Sequence, residues 1–100
     1  VLASADLGLT MNAESREALL RGEPVKLARK EFDLLLVLTT HPGRVFDRAA
    51  ILDRVWGRDV LVDERTVDVH IRWLREKIEP NPSRPTHLLT VRGVGYKFQP

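Results

Sequence analysis

The feature that most restricts the fold of this chain is a run of apolar residues at helical spacing in its second half. Four of them recur every three or four positions, which places them on one side of an α-helix: Val67, Ile71, Leu74 and Ile78. Asp63 can cap the start of this helix, and Pro80-Asn81-Pro82 ends it. The pattern therefore predicts a helix over about residues 64–79 with one narrow side facing a core.

The opposite side of this helix mixes charged and apolar side chains. It carries Arg65, Val69, Arg72 and Glu76, and it is flanked by Trp73 and Thr66. A helix side that faces only water usually carries charge alone. Arginine beside apolar groups suits the major groove of DNA, which exposes base edges and thymine methyl groups. An ordinary solvated side is the alternative that the helix alone leaves open.

Two more helices are predicted before this one. The apolar residues between Phe32 and Leu38 predict a helix over residues 29–40, which stops at His41-Pro42-Gly43. A second helix can start with Asp47 as its cap and stop at Gly57; its apolar residues are Ile51, Leu52, Val55 and Trp56. Consecutive amphipathic helices of this kind are typical of helix-turn-helix proteins that read DNA.

A β-hairpin is predicted at the end of the chain. Residues 88–92 alternate like a strand, Gly93-Val94-Gly95 turns the chain, and residues 96–98 return as a second strand. The hairpin carries Arg92 just before its turn. An arginine in this place, next to a helix in the major groove, can reach the adjacent minor groove, whose negative potential attracts arginine.

The first quarter of the chain predicts a small sheet. Residues 1–6 show no periodicity and are interpreted as the remnant of a linker. Short stretches at residues 7–11, 18–20 and 25–27 predict three antiparallel strands separated by turn residues. Residues 7–100 suffice for one domain. The predicted fold class is α+β, with an N-terminal antiparallel sheet, three helices and a C-terminal hairpin.

The composition excludes several other classes of function. The chain has no cysteine, which rules out a disulfide, a thiolate nucleophile and a cysteine-built zinc site. Paired metal-ligand motifs, a serine nucleophile turn and a phosphate-binding glycine loop are also absent, which predicts no enzyme, no metal and no cofactor. The longest apolar run, Leu34–Leu38, is too short to span a membrane, and no secretory leader opens the chain. We therefore expect a cytoplasmic protein without a membrane partner.

Four short motifs occur in a fixed order along the chain. They are Leu27-Ala28-Arg29-Lys30-Glu31-Phe32-Asp33-Leu34-Leu35, Val55-Trp56-Gly57, Arg65-Thr66-Val67-Asp68-Val69-His70-Ile71 with Leu74-Arg75, and Thr90-Val91-Arg92-Gly93-Val94-Gly95-Tyr96. Together they closely resemble the effector domain of OmpR/PhoB-type response regulators, the winged-helix output module of bacterial two-component systems. The resemblance covers about residues 7–98. It implies sequence-specific binding of double-stranded DNA in transcription regulation, and an N-terminal sheet of four strands.

The resemblance also implies a role for each matching residue. The third helix lies in the major groove, where bases or the groove are contacted by Arg65, Val69, Arg72 and Trp73. Arg92 is the minor-groove residue of the hairpin, or wing. The positions that lie near the DNA backbone in the family are matched by Arg48, Trp56, Thr66, His70, Arg75, Thr90 and Tyr96.

For three of these residues the sequence leaves a structural alternative open. Trp56 can be a core residue, and Arg75 can pair with Glu79 one helical turn later. His70 is close to the core side of its helix, so it can make a structural hydrogen bond instead. His41 and His87 lie in segments rich in helix breakers, and both are expected to be exposed.

Further partners follow from the same resemblance. The loop at residues 57–63 is a candidate surface for RNA polymerase, and the full-length protein is expected to carry a receiver domain. A winged helix that binds protein rather than DNA is the remaining alternative, because the formal net charge is only +2.

Two positions depart from the family pattern. Ala28 replaces the usual threonine at the start of the first helix. Trp73 stands where many relatives have a basic residue, which puts a guanine contact at that position in doubt.

Overall fold

A computed structural model describes residues 7–100 and, by their backbone alone, residues 2–4. The elements in chain order are β1 (Leu2–Ser4), β2 (Leu9–Asn12), β3 (Glu17–Leu20), β4 (Glu23–Pro24), α1 (Arg29–Thr40), β5 (Phe46–Asp47), α2 (Arg48–Val55), α3 (Arg65–Ile78), β6 (Leu88–Val91) and β7 (Gly95–Phe98). Strands β1 to β4 form one antiparallel sheet in chain order, and a second sheet has the order β5-β7-β6. The predicted α+β winged-helix architecture is confirmed, and the β6-β7 hairpin is the wing.

The N-terminal sheet differs from the one derived from the residues alone. The strand predicted at residues 25–27 is wrong: β4 is Glu23–Pro24, and a proline is tolerated there because β4 lies at the edge of the sheet. The linker prediction is wrong for Leu2–Ser4, which pairs with β2. Three residues are too few to show an alternation. Residues 1, 5 and 6 of that predicted linker lie outside the described residues.

The three helices begin and end close to the predicted residues. At the start of α1, the Glu31 carboxylate accepts the backbone N–H of Ala28 at 2.7 Å, but the alanine side chain has no oxygen to complete a capping box. Asp47 caps α2 by accepting the N–H of Ala50 at 2.7 Å. Before α3, the Asp63 carboxylate accepts the N–H of Arg65 at 2.8 Å.

The core lies between the two sheets and is built mainly from the helices. The predicted stripe of α3 is fully buried, because none of its four residues (Val67, Ile71, Leu74 and Ile78) exposes more than 2% of its surface. It packs with buried residues of α1, α2 and both sheets, among them Phe32, Leu35, Ile51, Phe46 and Phe98. Truncating a buried leucine or isoleucine of this kind to alanine typically costs about 2–5 kcal/mol.

A two-residue strand attaches the wing to the body of the domain. Phe46 and Asp47 of β5 pair with Tyr96 and Gly95 of β7, a pairing that two residues are too short to reveal in the sequence. A Cβ atom at Gly95 would overlap the carbonyl oxygen of Phe46. Only glycine therefore allows β5 and β7 to approach this closely.

Candidate nucleic-acid interface

The outward face of α3 consists of Arg65, Val69, Arg72, Trp73 and Glu76, and all five side chains are exposed. Val69 exposes 41% of its surface and Trp73 44%, although both are large and apolar. The structure therefore brings together the four residues that the sequence assigned to bases or the groove. They form a continuous surface one helix wide, because they lie one turn apart along α3.

The two arginines of this face have weak partners. Arg65 pairs with Asp63 at 2.9 Å, and Arg72 lies 4.0 Å from Glu76. The hydrogen bond between Arg65 and Asp63 lowers the pKa of the Asp63 carboxyl and raises that of the Arg65 guanidinium. Exposed pairs of this kind contribute little to stability. Both guanidinium groups can therefore leave their carboxylates for a phosphate or a base edge.

Three aromatic rings form a cluster at the side of this face, namely Trp56, His70 and Trp73. The His70 ring lies 5.0 Å from each indole, edge-on to Trp56 at 85° and tilted by 56° against Trp73. Its Nδ1–H donates to the Thr66 carbonyl oxygen at 2.8 Å, since a carbonyl can only accept. The structural hydrogen bond foreseen as an alternative for His70 is present. Trp56 is half-buried and packs against the core, which agrees with the alternative that it is a core residue.

Arg75 connects α3 to the wing. Its Nε and Nη2 donate to the Leu88 carbonyl oxygen at 3.0 and 2.7 Å, and Nη2 also donates to Thr90 Oγ1 at 2.8 Å. Burial lowers the pKa of the Arg75 guanidinium. The alternative in which Arg75 pairs with Glu79 is wrong. Arg75 and Thr90, which the family resemblance places near the DNA backbone, are hydrogen-bonded to each other.

The Glu79 carboxylate instead organises the segment before the wing. It is buried, and it accepts the backbone N–H groups of His87 at 3.0 Å and Leu88 at 2.8 Å. His87 is itself 8% exposed, and its Nδ1–H donates to the Gln99 carbonyl oxygen, so the expectation that it is exposed is wrong. The sequence does not reveal these bonds because Glu79 and its partners are separated by a proline-rich loop.

Asp68 joins α2, α3 and the wing, and it was not among the residues singled out from the sequence. Its Oδ1 accepts Arg48 Nε–H at 2.7 Å and the Tyr96 hydroxyl at 2.5 Å. Burial raises the pKa of the Tyr96 phenol, and the hydrogen bond to Asp68 raises it further. An acidic residue in the first turn of a helix is common for local reasons, so its position did not indicate these long-range partners.

The wing tip places Arg92 at the protein surface. Arg92 is exposed and is followed by Gly93, whose φ of +76° lets the chain turn. Within residues 7–100, no carboxylate lies within ion-pair distance of Arg92. Its guanidinium is therefore available to an external anion.

The loop between α2 and α3 exposes two aliphatic side chains. Val60 exposes 51% of its surface, and Leu61 is fully exposed. The neighbouring ion pair between Arg58 and Asp53 is long, at 3.6 Å, and open to solvent. The segment forms no helix or strand between Gly57 and Asp63.

Two kinds of feature are absent from the part of the chain that the structure describes. No group of three or more histidine, aspartate or glutamate side chains there converges as metal ligands would. None of its helices has the length and apolar character needed to cross a membrane.

Sequence comparison relates the chain to regulators of transcription. The family model described as "Transcriptional regulatory protein, C terminal" matches residues 22–98. The chain is 51% identical over 91 residues to the alkaline phosphatase synthesis transcriptional regulatory protein SphR of Synechococcus elongatus, covering 91% of this chain and 35% of SphR. It is 49% identical over 89 residues to the sensory transduction protein RegX3 of Mycolicibacterium smegmatis, covering 89% and 39%. The chain thus spans well under half the length of these relatives.

Structural comparison relates the chain to further regulators. The RstA DNA-binding domain of Klebsiella pneumoniae, solved in complex with the RstA box, has a TM-score of 0.83 and 39% identity over 92% of this chain and 91% of that one. The response regulator DrrB of Thermotoga maritima, described as an OmpR/PhoB homolog, has a TM-score of 0.86 and 35% identity, covering 93% of this chain and 42% of DrrB.

Proposed function

Because this chain belongs to the family of C-terminal domains of transcriptional regulatory proteins, we propose that it binds double-stranded DNA sequence-specifically as the output domain of a two-component response regulator. Membership confirms the OmpR/PhoB resemblance of the four motifs. The family consists of regulators, so the prediction that the chain is not an enzyme is also confirmed. The RstA domain, similar over nearly its whole length, has been solved on its DNA box.

The observation that carries the proposal is the placement of two arginine-bearing surfaces on one rigid unit. The outward face of α3 offers Arg65 and Arg72, and the wing tip offers Arg92. The bonds of Arg75 to Leu88 and Thr90 fix the wing relative to α3. Such an arrangement suits a duplex in which α3 enters the major groove and the wing reaches the adjacent minor groove.

The residue roles follow from this placement. We assign base or groove contacts to Arg65, Val69, Arg72, Trp73 and Arg92. Contacts to the DNA backbone are assigned to Arg48, Trp56, Thr66, His70, Arg75, Thr90 and Tyr96. Most of the second group also make hydrogen bonds within the protein. For these, the proposed contribution is to hold the backbone-facing surface in shape as well as to contact phosphate.

The remaining partners are inferred for the full-length protein. SphR and RegX3 are much longer than this chain, which leaves room for the receiver domain that two-component control requires. The exposed Val60 and Leu61 support the loop at residues 57–63 as a surface for RNA polymerase. We place the protein in the cytoplasm, where its DNA would be, and take residues 7–100 as the DNA-binding unit, which β1 extends.

Selection from a random duplex library tests the proposal. Wild type is expected to select a defined site, and its affinity for that site is expected to fall steeply with salt as several phosphates are neutralised. Arg72→Ala is expected to relax one or two base positions, at a cost of about 1–3 kcal/mol, and Arg92→Ala to weaken binding chiefly at A·T-rich flanks.

Two results would contradict these assignments. Unchanged site preferences in both variants would remove the roles given to Arg72 and Arg92. Binding to DNA that shows no dependence on salt would instead favour the alternative of a winged helix that binds protein.

A further inference from the structure

The apolar part of the outward face of α3 is a shaped surface. Val69 and Trp73 are one helical turn apart, and together with Thr66 and His70 they line a shallow open depression. Arg65 forms part of its rim, and Arg72 precedes Trp73 in the chain. The depression therefore lies along one side of the surface proposed to enter the major groove, next to Arg65.

The Trp73 indole in this depression has a fixed support on one side. It packs against the His70 ring at 5.0 Å, and His70 packs edge-on against Trp56 at the same distance. The bond from His70 Nδ1–H to the Thr66 carbonyl fixes the imidazole as well. Aromatic pairs at this separation attract each other beyond the area that they bury. Trp73 is thus held in place while 44% of its surface remains open.

The chemistry of an indole decides which base it can select. It has one N–H donor and no acceptor, so it cannot make the two parallel hydrogen bonds by which arginine binds guanine O6 and N7. In the major groove, A·T pairs display the thymine 5-methyl group, whereas G·C pairs display none. An apolar depression made by an indole and a valine matches that methyl group.

We propose that Trp73, together with Val69, selects thymine by contacting its 5-methyl group, and that His70 is the positioning residue that holds the indole for this contact. The inference rests on the proposed DNA binding. It predicts that the site bound by this protein contains thymine where a relative with a basic residue in place of Trp73 would select guanine.

Replacing thymine by deoxyuridine tests this directly, because it removes the methyl group and nothing else. Each thymine of the selected site is replaced singly on either strand, and affinities are measured for wild type, Trp73→Ala and the control Val45→Ala. Wild type is expected to lose about three- to fivefold in affinity at one or two thymines, since burial of a methyl-sized group contributes on that order. Trp73→Ala is expected to lose this discrimination. Val45→Ala, which removes an exposed valine outside the interface, is expected to keep it.

A second variant changes the preference rather than removing it. Trp73→Arg is expected to shift the selected base at the same position from thymine to guanine, because arginine can bind guanine with two hydrogen bonds. A site unchanged by this substitution would overturn the proposal.

The role of His70 is tested by the ratio of affinities for thymine and deoxyuridine, a quantity that a loss of stability alone does not alter. His70→Ala is expected to reduce this ratio towards one, and His70→Phe, which keeps a ring between the two indoles, to restore it. A ratio that stays at the wild-type value in His70→Ala would refute the positioning role.

The possible failures are distinguishable. If wild type selects a site but tolerates deoxyuridine at every position, or if Trp73→Ala keeps the wild-type discrimination, the thymine inference is wrong and DNA binding stands. If no preferred site is selected, the proposed function itself fails.

Discussion

The charged residues on the two sides of α3 differ in how firmly they are bound to partners within the protein. On the outward face, Arg65 and Arg72 each have one exposed carboxylate within 4.0 Å. On the side that faces the wing, Arg75 makes three hydrogen bonds, and Asp68 accepts two from other elements. Charges of the first kind can exchange partners at little cost, whereas those of the second kind hold neighbouring elements in place.

In the proposed mode of DNA binding, this difference separates the residues that read DNA from those that position the wing. The outward arginines are free to leave their carboxylates when DNA supplies phosphates and base edges. The residues facing the wing keep their internal partners, so the distance between α3 and the wing is set before DNA arrives. A binding surface that is already in place loses less conformational freedom on association.

The largest expected effect concerns the buried acid at the end of α3. Glu79→Ala leaves two buried backbone N–H groups, those of His87 and Leu88, without an acceptor. We expect it to lower the free energy of unfolding by about 3 kcal/mol, measured by urea denaturation. The matched control on the outward face, Glu76→Ala, is expected to change it by less than about 0.5 kcal/mol. Equal losses of stability in Glu79→Ala and Glu76→Ala would contradict the difference proposed between the buried and the outward acid.

The next effect separates two arginines on the same helix. Arg75→Ala removes the bonds to Leu88 and Thr90 and is expected to cost about 2 kcal/mol of stability in the same assay. It should also weaken the preference for A·T-rich flanks, because the wing is no longer held. Arg72→Ala is expected to change specificity with little change in stability. If Arg72→Ala lowered the free energy of unfolding and Arg75→Ala did not, the roles assigned to the two arginines would be wrong.

A smaller effect appears only at alkaline pH. Tyr96 is the single tyrosine of the chain, and burial raises its pKa in the folded state. The folded protein therefore retains the phenolic proton at pH values where the unfolded chain has lost it. This contribution to stability is complete below about pH 10, the unfolded value, and is lost as the pH rises from there through the folded pKa.

Two measurements test the direction of the Tyr96 pKa shift and of its effect on stability. Ultraviolet titration of the tyrosinate should give a pKa above that of a free tyrosine. Unfolding measured over the same pH range should show a decline in stability that is less steep in Tyr96→Phe, which cannot titrate. A wild-type phenol that ionises at its ordinary pKa would contradict the burial argument.

The smallest expected effect lies away from α3. Ala28→Thr adds the missing side-chain oxygen at the start of α1. This oxygen can accept the backbone N–H of Glu31 and so complete the capping box, in which the Glu31 carboxylate already accepts the Ala28 N–H. We expect a gain of about 1 kcal/mol in the free energy of unfolding, since a cap of this kind contributes about 0.5–2 kcal/mol. Ala28→Val, which has a similar shape but no hydroxyl, is the control. A gain of equal size in both would show that capping is not its cause.

The sequence predicted the parts of the molecule that depend on local pattern. The buried stripe from Val67 to Ile78 follows from helical periodicity, and the helix ends follow from residues such as Asp47 and Pro80. The composition of the outward face followed from the same periodicity, because the side opposite a buried stripe must be exposed.

What could not be predicted depends on contacts between distant segments. Asp68 meets Arg48 and Tyr96 only after α2, α3 and β7 have packed together, twenty or more residues apart in sequence. The same holds for β5, whose two residues become a strand only by pairing with β7. A one-letter pattern carries no information about such partners.

The close approach at Gly95 has a consequence for how this domain can diversify. Because β7 is held against Phe46 at Gly95, the first residue after the turn, that position tolerates no side chain. The turn at residues 92–94 lies beyond it and is exposed; a Cβ added at Gly93 would meet no neighbouring atom, although its φ of +76° still favours glycine. Altered turns could thus be grafted there without disturbing the body, which makes the hairpin tip a natural place to engineer new target preference.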